Sequence, residues 1–153
     1  MAGRILKAAA AGVSLAANTE KTVLGILTGG ACCRIVKIAV STLSQNPTDQ
    51  AIRINLYNNG TSAGGQGTST AQTIKITDGG AAYTPLSSAP GNFSAEPTTK
   101  TTTGWEEFAG PQAGLVETFS EKAAELIPAG TQYSFSMLAL QAQTVNMTVW
   151  WEE

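Results

Sequence analysis

The stretch Val145-Asn146-Met147-Thr148-Val149-Trp150-Trp151-Glu152-Glu153 alternates apolar and polar side chains. That is the period of a half-buried β-strand, whose successive side chains point to opposite faces. Val145, Met147, Val149 and Trp151 share one face. Asn146, Thr148 and Glu152 share the other, and Trp150 falls with them. An indole on the polar face of a strand either fills a second packing surface or meets a partner. The pattern predicts an all-β protein with Trp151 in the core and Trp150 at or near an inter-subunit or second-layer contact.

The same rhythm runs back through the chain as short β-like runs separated by turn signals. Lys21 to Thr28 carries Val23, Leu24, Ile26 and Leu27 and ends at Gly29-Gly30. Cys33 to Leu43 places Val36, Ile38 and Val40 on one face and Ile35, Lys37, Ala39 and Ser41 on the other; Asn46-Pro47 breaks it. Ala51 to Tyr57 turns Ile52, Ile54 and Leu56 inward, and Asn58-Asn59-Gly60 predicts a turn. Residues 60–70 are Gly/Ser/Thr-rich and predict a mobile loop. A short strand over Thr73 to Thr77 is closed by Asp78-Gly79-Gly80. Ala81 to Gly104 forms a long irregular connection with Tyr83, Leu86 and Phe93 as isolated anchors. Strand signals return at Trp105 to Phe108, Leu115 to Phe119 and Tyr133 to Leu140, with a brief helical turn over Glu121 to Leu126. The terminal strand is expected to close the sheet.

These runs sum to about eight strands, the number of a double-sheet jelly roll. The expected architecture is an antiparallel β-sandwich of jelly-roll type with an extended N-terminal arm. Residues 1–18 form the arm or first strand, the alanines making a helix the rival, and residues 19–153 a single domain.

Composition narrows the function. Hydrophobic residues make up 42% and charged residues only 13%, the latter about half the usual globular share. The surface must then be built from Thr, Ser, Asn, Gln, Gly and Ala. Such a surface is cheap to desolvate and suits packing against other copies or a larger body. Net charge is −2 without a basic run, which argues against nucleic acid as a partner. No apolar window is long enough for a membrane span. Met1 to Ala17 resembles a short signal peptide, but its apolar run is mostly alanine, so the expectation is that it is retained. Cys32 and Cys33 are neighbours that point to opposite strand faces, and they suggest a reducing compartment.

No catalytic, cofactor or metal site is expected. The chain has no histidine, which removes Ser-His and Cys-His relays and leaves zinc without its commonest nitrogen ligand. A glycosidase pair drawn from Glu106 with Glu117 or Glu121 is conceivable, with surface solubility the default for those acids. Gly64-Gly65-Gln66-Gly67 is followed by no lysine and is not a phosphate loop. The remaining candidates are contact residues: Arg4, Ile5 and Leu6 in the arm, and the aromatics Tyr57, Trp105 and Trp150. Of the aromatics, Tyr57 and Trp150 are expected to be partly outward.

One order of motifs is familiar. It runs Glu20-Lys21-Thr22-Val23-Leu24, then Arg34-Ile35-Val36-Lys37-Ile38-Ala39-Val40, a Gly/Thr loop and Phe93-Ser94-Ala95-Glu96-Pro97-Thr98. Trp105-Glu106-Glu107-Phe108, Leu126-Ile127-Pro128-Ala129-Gly130 and the closing aromatic-Glu-Glu strand follow. From residue 20 onward this resembles small jelly-roll decoration, or cement, proteins of tailed bacteriophages. The resemblance implies a non-enzymatic homotrimer on the capsid exterior, bound to the major capsid protein and made in the host cytoplasm. It implies no small-molecule substrate. The arm, Arg4 to Leu15, is then a candidate to order on contact. The alternative is a carbohydrate-binding or host-recognition module of a phage tail, with Trp105 or Trp150 as an aromatic platform.

Overall fold

A computed structural model describes residues 3–43, 50–77, 83–120 and 125–153. Two antiparallel sheets pack face to face. In the first, β12 (Gln143–Glu152) lies between β1 (Ile5–Leu15) and β3 (Cys33–Thr42), with β9 (Leu115–Thr118) on the far edge of β3. In the second, β11 (Gln132–Leu138) lies between β2 (Lys21–Leu27) and β4 (Ile52–Gly60), with β8 (Thr101–Ala109) beyond β4. The orders β9-β3-β12-β1 and β2-β11-β4-β8 are those of a jelly roll built from two Greek keys. Four short strands extend the edges: β5 (Thr68–Ala71), β6 (Lys75–Ile76), β7 (Pro90–Ala95) and β10 (Leu126–Ile127). The jelly roll itself therefore has the eight strands expected.

Strand alternation makes the core. Val145, Met147, Val149 and Trp151 are all buried, as their spacing requires. They meet Leu24, Ile26, Ile52, Ile54, Leu56, Phe135 and Met137 from the second sheet in one continuous cluster. Each large aliphatic side chain so buried contributes about 1.5–3 kcal/mol. The Trp151 indole N–H donates to Ser87 Oγ at 2.9 Å, so the buried ring leaves no unpaired donor.

Several expectations are corrected. Of the two readings of the N-terminal segment, the structure bears out the first strand and not the extended arm. Leu6, Ala8, Ala10, Val13 and Leu15 of β1 are buried in the core, and β1 pairs with β12 along nearly its whole length. Alanine at alternate positions packs into the sheet where larger side chains face it. Near its middle, β1 bulges between Ala10 and Val13. Gly12 takes φ +65° there, a conformation costly for a side-chain-bearing residue, and its N–H donates to Asn146 Oδ1 at 2.8 Å. The terminal strand does not close the sheet at an edge; it lies at its centre.

In β3 the expected face assignment fails at one point. Trp150 pairs with Lys37 but Trp151 pairs with Ile35, so Val36 is an inserted bulge residue. The bulge turns Cys33 and Ile35 inward together with Ile38 and Val40. Asn58-Asn59-Gly60 continues β4 instead of turning, with Asn59 fully buried. The segment after it, expected as a loop, carries local structure. It forms a 3-10 turn at Ala63–Gly65, and the Gln66 amide donates to the Gly60 carbonyl at 2.9 Å. The irregular connection contains β7 and the start of β8. The expected breaks at Asn46-Pro47 and Asp78-Gly79-Gly80, and the helical turn beginning at Glu121, lie outside the described residues.

Candidate functional site

The outer face of the first sheet carries a row of side chains set by strand register. Lys75, Lys7, Trp150, Lys37 and Thr118 stand side by side across β6, β1, β12, β3 and β9. Trp150 is half-buried. The Lys37 ammonium lies 4.9 Å from the indole centroid and Lys7 lies 6.0 Å from it, both within cation–π range. The next row along is small and neutral: Ala9, Thr148, Ala39 and the exposed Val116. On the β1 side of the indole a groove of about 430 Å³ opens between Trp150, Lys7, Lys75, Gln72, Thr73 and Thr148.

The outer face of the second sheet is covered in part by its own chain. The segment from Glu96 to Lys100 lies over β2 and β11 and is fastened by a polar cluster. The Lys100 ammonium donates to Glu20 at 3.3 Å, Glu96 at 3.1 Å and Ser136 Oγ at 3.4 Å. Glu96 accepts from the Thr22 hydroxyl at 2.5 Å and the Thr22 N–H at 3.0 Å. Glu20 accepts from the Tyr57 hydroxyl at 3.0 Å, and Lys100 lies 5.4 Å from the Tyr57 ring centroid. Burial, and then the hydrogen bond to Glu20, raise the Tyr57 phenol above its ordinary value. Ser136 and Thr22 are fully buried, so their hydroxyls reach no substrate. The cluster acts as a clasp.

A second clasp gathers around Glu153. Its carboxylate accepts from the N–H groups of Leu86 and Ser87, each at 2.7 Å, and from the Tyr83 hydroxyl. Burial alone disfavours its charge, but the bonds from Ser87, Tyr83 and Leu86 outweigh that and hold the carboxyl below its ordinary value. The neighbouring Cys33 thiol is pushed up to about 12, by burial first and by the Glu153 charge second. It is unreactive at neutral pH. Cys32, on the opposite face, is exposed.

The third feature is apolar. Phe108 is 55% exposed and Leu140 46%. With Leu138, Ala51, Arg53 and Glu106 they line a shallow groove of about 390 Å³ on the β4–β8–β11 side. Phe108 follows the alternation of edge strand β8, which turns every second side chain to solvent.

The expected contact residues are not brought together. Leu6 is fully buried and Ile5 is half-buried beside Glu152, so neither belongs to a free arm. Arg4 is tied through its backbone to Glu153 at 2.9 and 3.0 Å. Trp105 packs against Phe119 at 6.0 Å and Phe135 at 5.7 Å, on the edge of the core. Tyr57 and Trp150 do face outward in part, as expected, but on opposite sheets. Glu106 stands on β8 of the second sheet and Glu117 on β9 of the first. Among the described residues no three Cys, Asp or Glu side chains are grouped to hold a metal, and no helix is long and apolar enough to cross a membrane. Sequence reasoning missed the Glu20–Lys100–Glu96 clasp, because its members are distant in the chain and no local motif marks them.

No protein-family model matches the sequence, and no curated protein matches it. Among solved structures, a Yersinia pseudotuberculosis-derived mitogen is similar at TM-score 0.32 and 8% identity, over 96% of this chain and 85% of the mitogen. A structure of Maize chlorotic mottle virus is similar at TM-score 0.27 and 10% identity, over 98% of this chain and 93% of the viral chain. Both likenesses are weak.

Proposed function

We propose that the protein is a non-enzymatic virion component that decorates a bacteriophage capsid from outside. It binds the lattice of the major capsid protein, and it acts as the homotrimer that its resemblance to cement proteins implies. The observation that carries the reading is the uncovered apolar groove around Phe108, Leu138 and Leu140. Exposed aromatic and aliphatic side chains gathered at one place mark protein contact surfaces. The low charge of the rest of the chain supports it, since a surface of hydroxyls, amides and alanine gives up water cheaply. Repeated by symmetry over a shell, modest contact energies add to a large resistance to rupture.

The test uses purified capsids that lack the protein. The wild-type chain is expected to bind them and raise their rupture temperature, and Phe108→Asp is expected to bind at least about tenfold more weakly while keeping its own unfolding temperature. Light scattering is expected to report a trimer on the capsid or in solution. If the wild-type protein neither binds nor alters rupture, the reading fails.

A further inference from the structure

We propose that the groove beside Trp150 binds a carboxylated sugar of an acidic oligosaccharide. The first support is an imbalance of charge. Lys7 lies directly opposite Lys75 in β6 and directly opposite Trp150 in β12. Cross-strand neighbours stand about 5 Å apart, and like charges so placed destabilise a sheet. The whole chain has nine Lys and Arg residues, and this one row holds three of them. Among the described residues none of the three is paired with a carboxylate. The nearest outward acid on β12, Glu152, is engaged by Arg34 and by the Gly3 N–H.

The second support is shape. The groove, about 430 Å³, falls in the size range of small-ligand sites, and its small neighbour Ala9 leaves it open along the sheet. Lys37 is on the β3 side of the indole and the groove on the β1 side. The ring is therefore a wall beside two ammonium groups.

The third support is the match of groups. The indole offers an apolar surface to the C–H face of a pyranose. Lys7 and Lys75 bracket its carboxylate, and the Thr73 and Thr148 hydroxyls with the Gln72 amide oxygen supply partners for its hydroxyls, the Gln72 amide nitrogen being engaged by the Thr70 carbonyl at 2.9 Å. A bare phosphate leaves the indole unused. Nucleic acid needs a broader basic field than a chain of net charge −2 provides. An extended acidic peptide added to the β1 edge, which β6 pairs only at Leu6 and Lys7, leaves the indole unused.

The experiment titrates the full chain with a galacturonate oligomer, its methyl ester, inorganic phosphate and a glutamate-rich peptide, following indole N–H resonances by NMR. The acidic oligomer is expected to shift the Trp150 signal saturably, with affinity that falls as salt rises. The Lys7→Gln/Lys75→Gln double variant is expected to bind about tenfold more weakly while unfolding at an unchanged or higher temperature. The ester and phosphate are expected to leave Trp150 unmoved. The idea is overturned if the oligomer gives no shift at millimolar concentration, if the ester binds as well, or if the double variant binds like wild type. A peptide that outcompetes the sugar overturns it too, and assigns the groove to an acidic protein. Phe108 lies on the other sheet, so capsid binding and sugar binding can fail separately.

Discussion

Lys37 and Lys100 stand over aromatic rings on opposite faces of the sandwich, at 4.9 Å from Trp150 and 5.4 Å from Tyr57. Their surroundings differ. Lys100 has two carboxylates and a serine hydroxyl within hydrogen-bond distance and is half-buried. Lys37, with Lys7 and Lys75 in the same row, has no carboxylate partner among the described residues. The same residue type over the same kind of ring thus plays two parts. Where the chain supplies the counter-charge, the lysine fastens a segment. Where it does not, the face is left open to solvent and to ligands.

Breaking the balanced face is expected to have the largest effect. Lys100→Met leaves Glu20 and Glu96 crowded and half-covered, and is expected to cost about 2 kcal/mol, between the values for exposed and buried pairs. Urea unfolding measures it; a loss below about 0.5 kcal/mol removes the distinction between the faces. Glu153→Gln comes next, at about 1–2 kcal/mol, since a neutral amide accepts hydrogen bonds less strongly than a carboxylate. Because the Glu153 carboxyl is held below its ordinary value, its contribution is present above that value. It is lost as pH falls through the lowered folded value. Wild-type stability is therefore expected to drop in acid by a step that Glu153→Gln lacks, seen as converging midpoints in a pH series.

On the unbalanced face the effects are smaller. Trp150→Ala removes two cation–π contacts and part of an indole's burial, for about 1 kcal/mol. Lys75→Gln is expected to be neutral or to stabilise by about 0.3 kcal/mol, by relieving repulsion from Lys7. A clear destabilisation by Lys75→Gln in calorimetry means that the row is already balanced.

Much of this was legible in residue spacing. Val145, Met147, Val149 and Trp151 took the face that their alternation demanded, and Ile52, Ile54 and Leu56 did the same. The spacing failed where a strand departs from period two. The inserted Val36 brings Ile35 inward, and nothing in Arg34-Ile35-Val36-Lys37 announces a bulge. It failed again in β2 and β11, where Thr22, Ser134 and Ser136 are buried on the outer face because other segments lie over it. Polar side chains there read as solvent-facing until the covering segment is known. The Trp150 row could be foreseen only in part. Its indole was an anomaly in one strand, but the lysines beside it come from β1, β3 and β6, and cross-strand register brought them together.

The central place of β12 has a consequence for how the molecule is made. A ribosome delivers β1 long before β12, yet β12 is the strand that joins β1 to β3. Until residues 143–152 have emerged, the described strand pairing of β1 is the two-residue ladder with β6, and the edge that β12 later covers is open. The first sheet therefore completes only once β12 is available, through contacts between residues more than a hundred positions apart, a topology that folds slowly. The second sheet can assemble earlier, since β2, β4, β8 and β11 all precede β12.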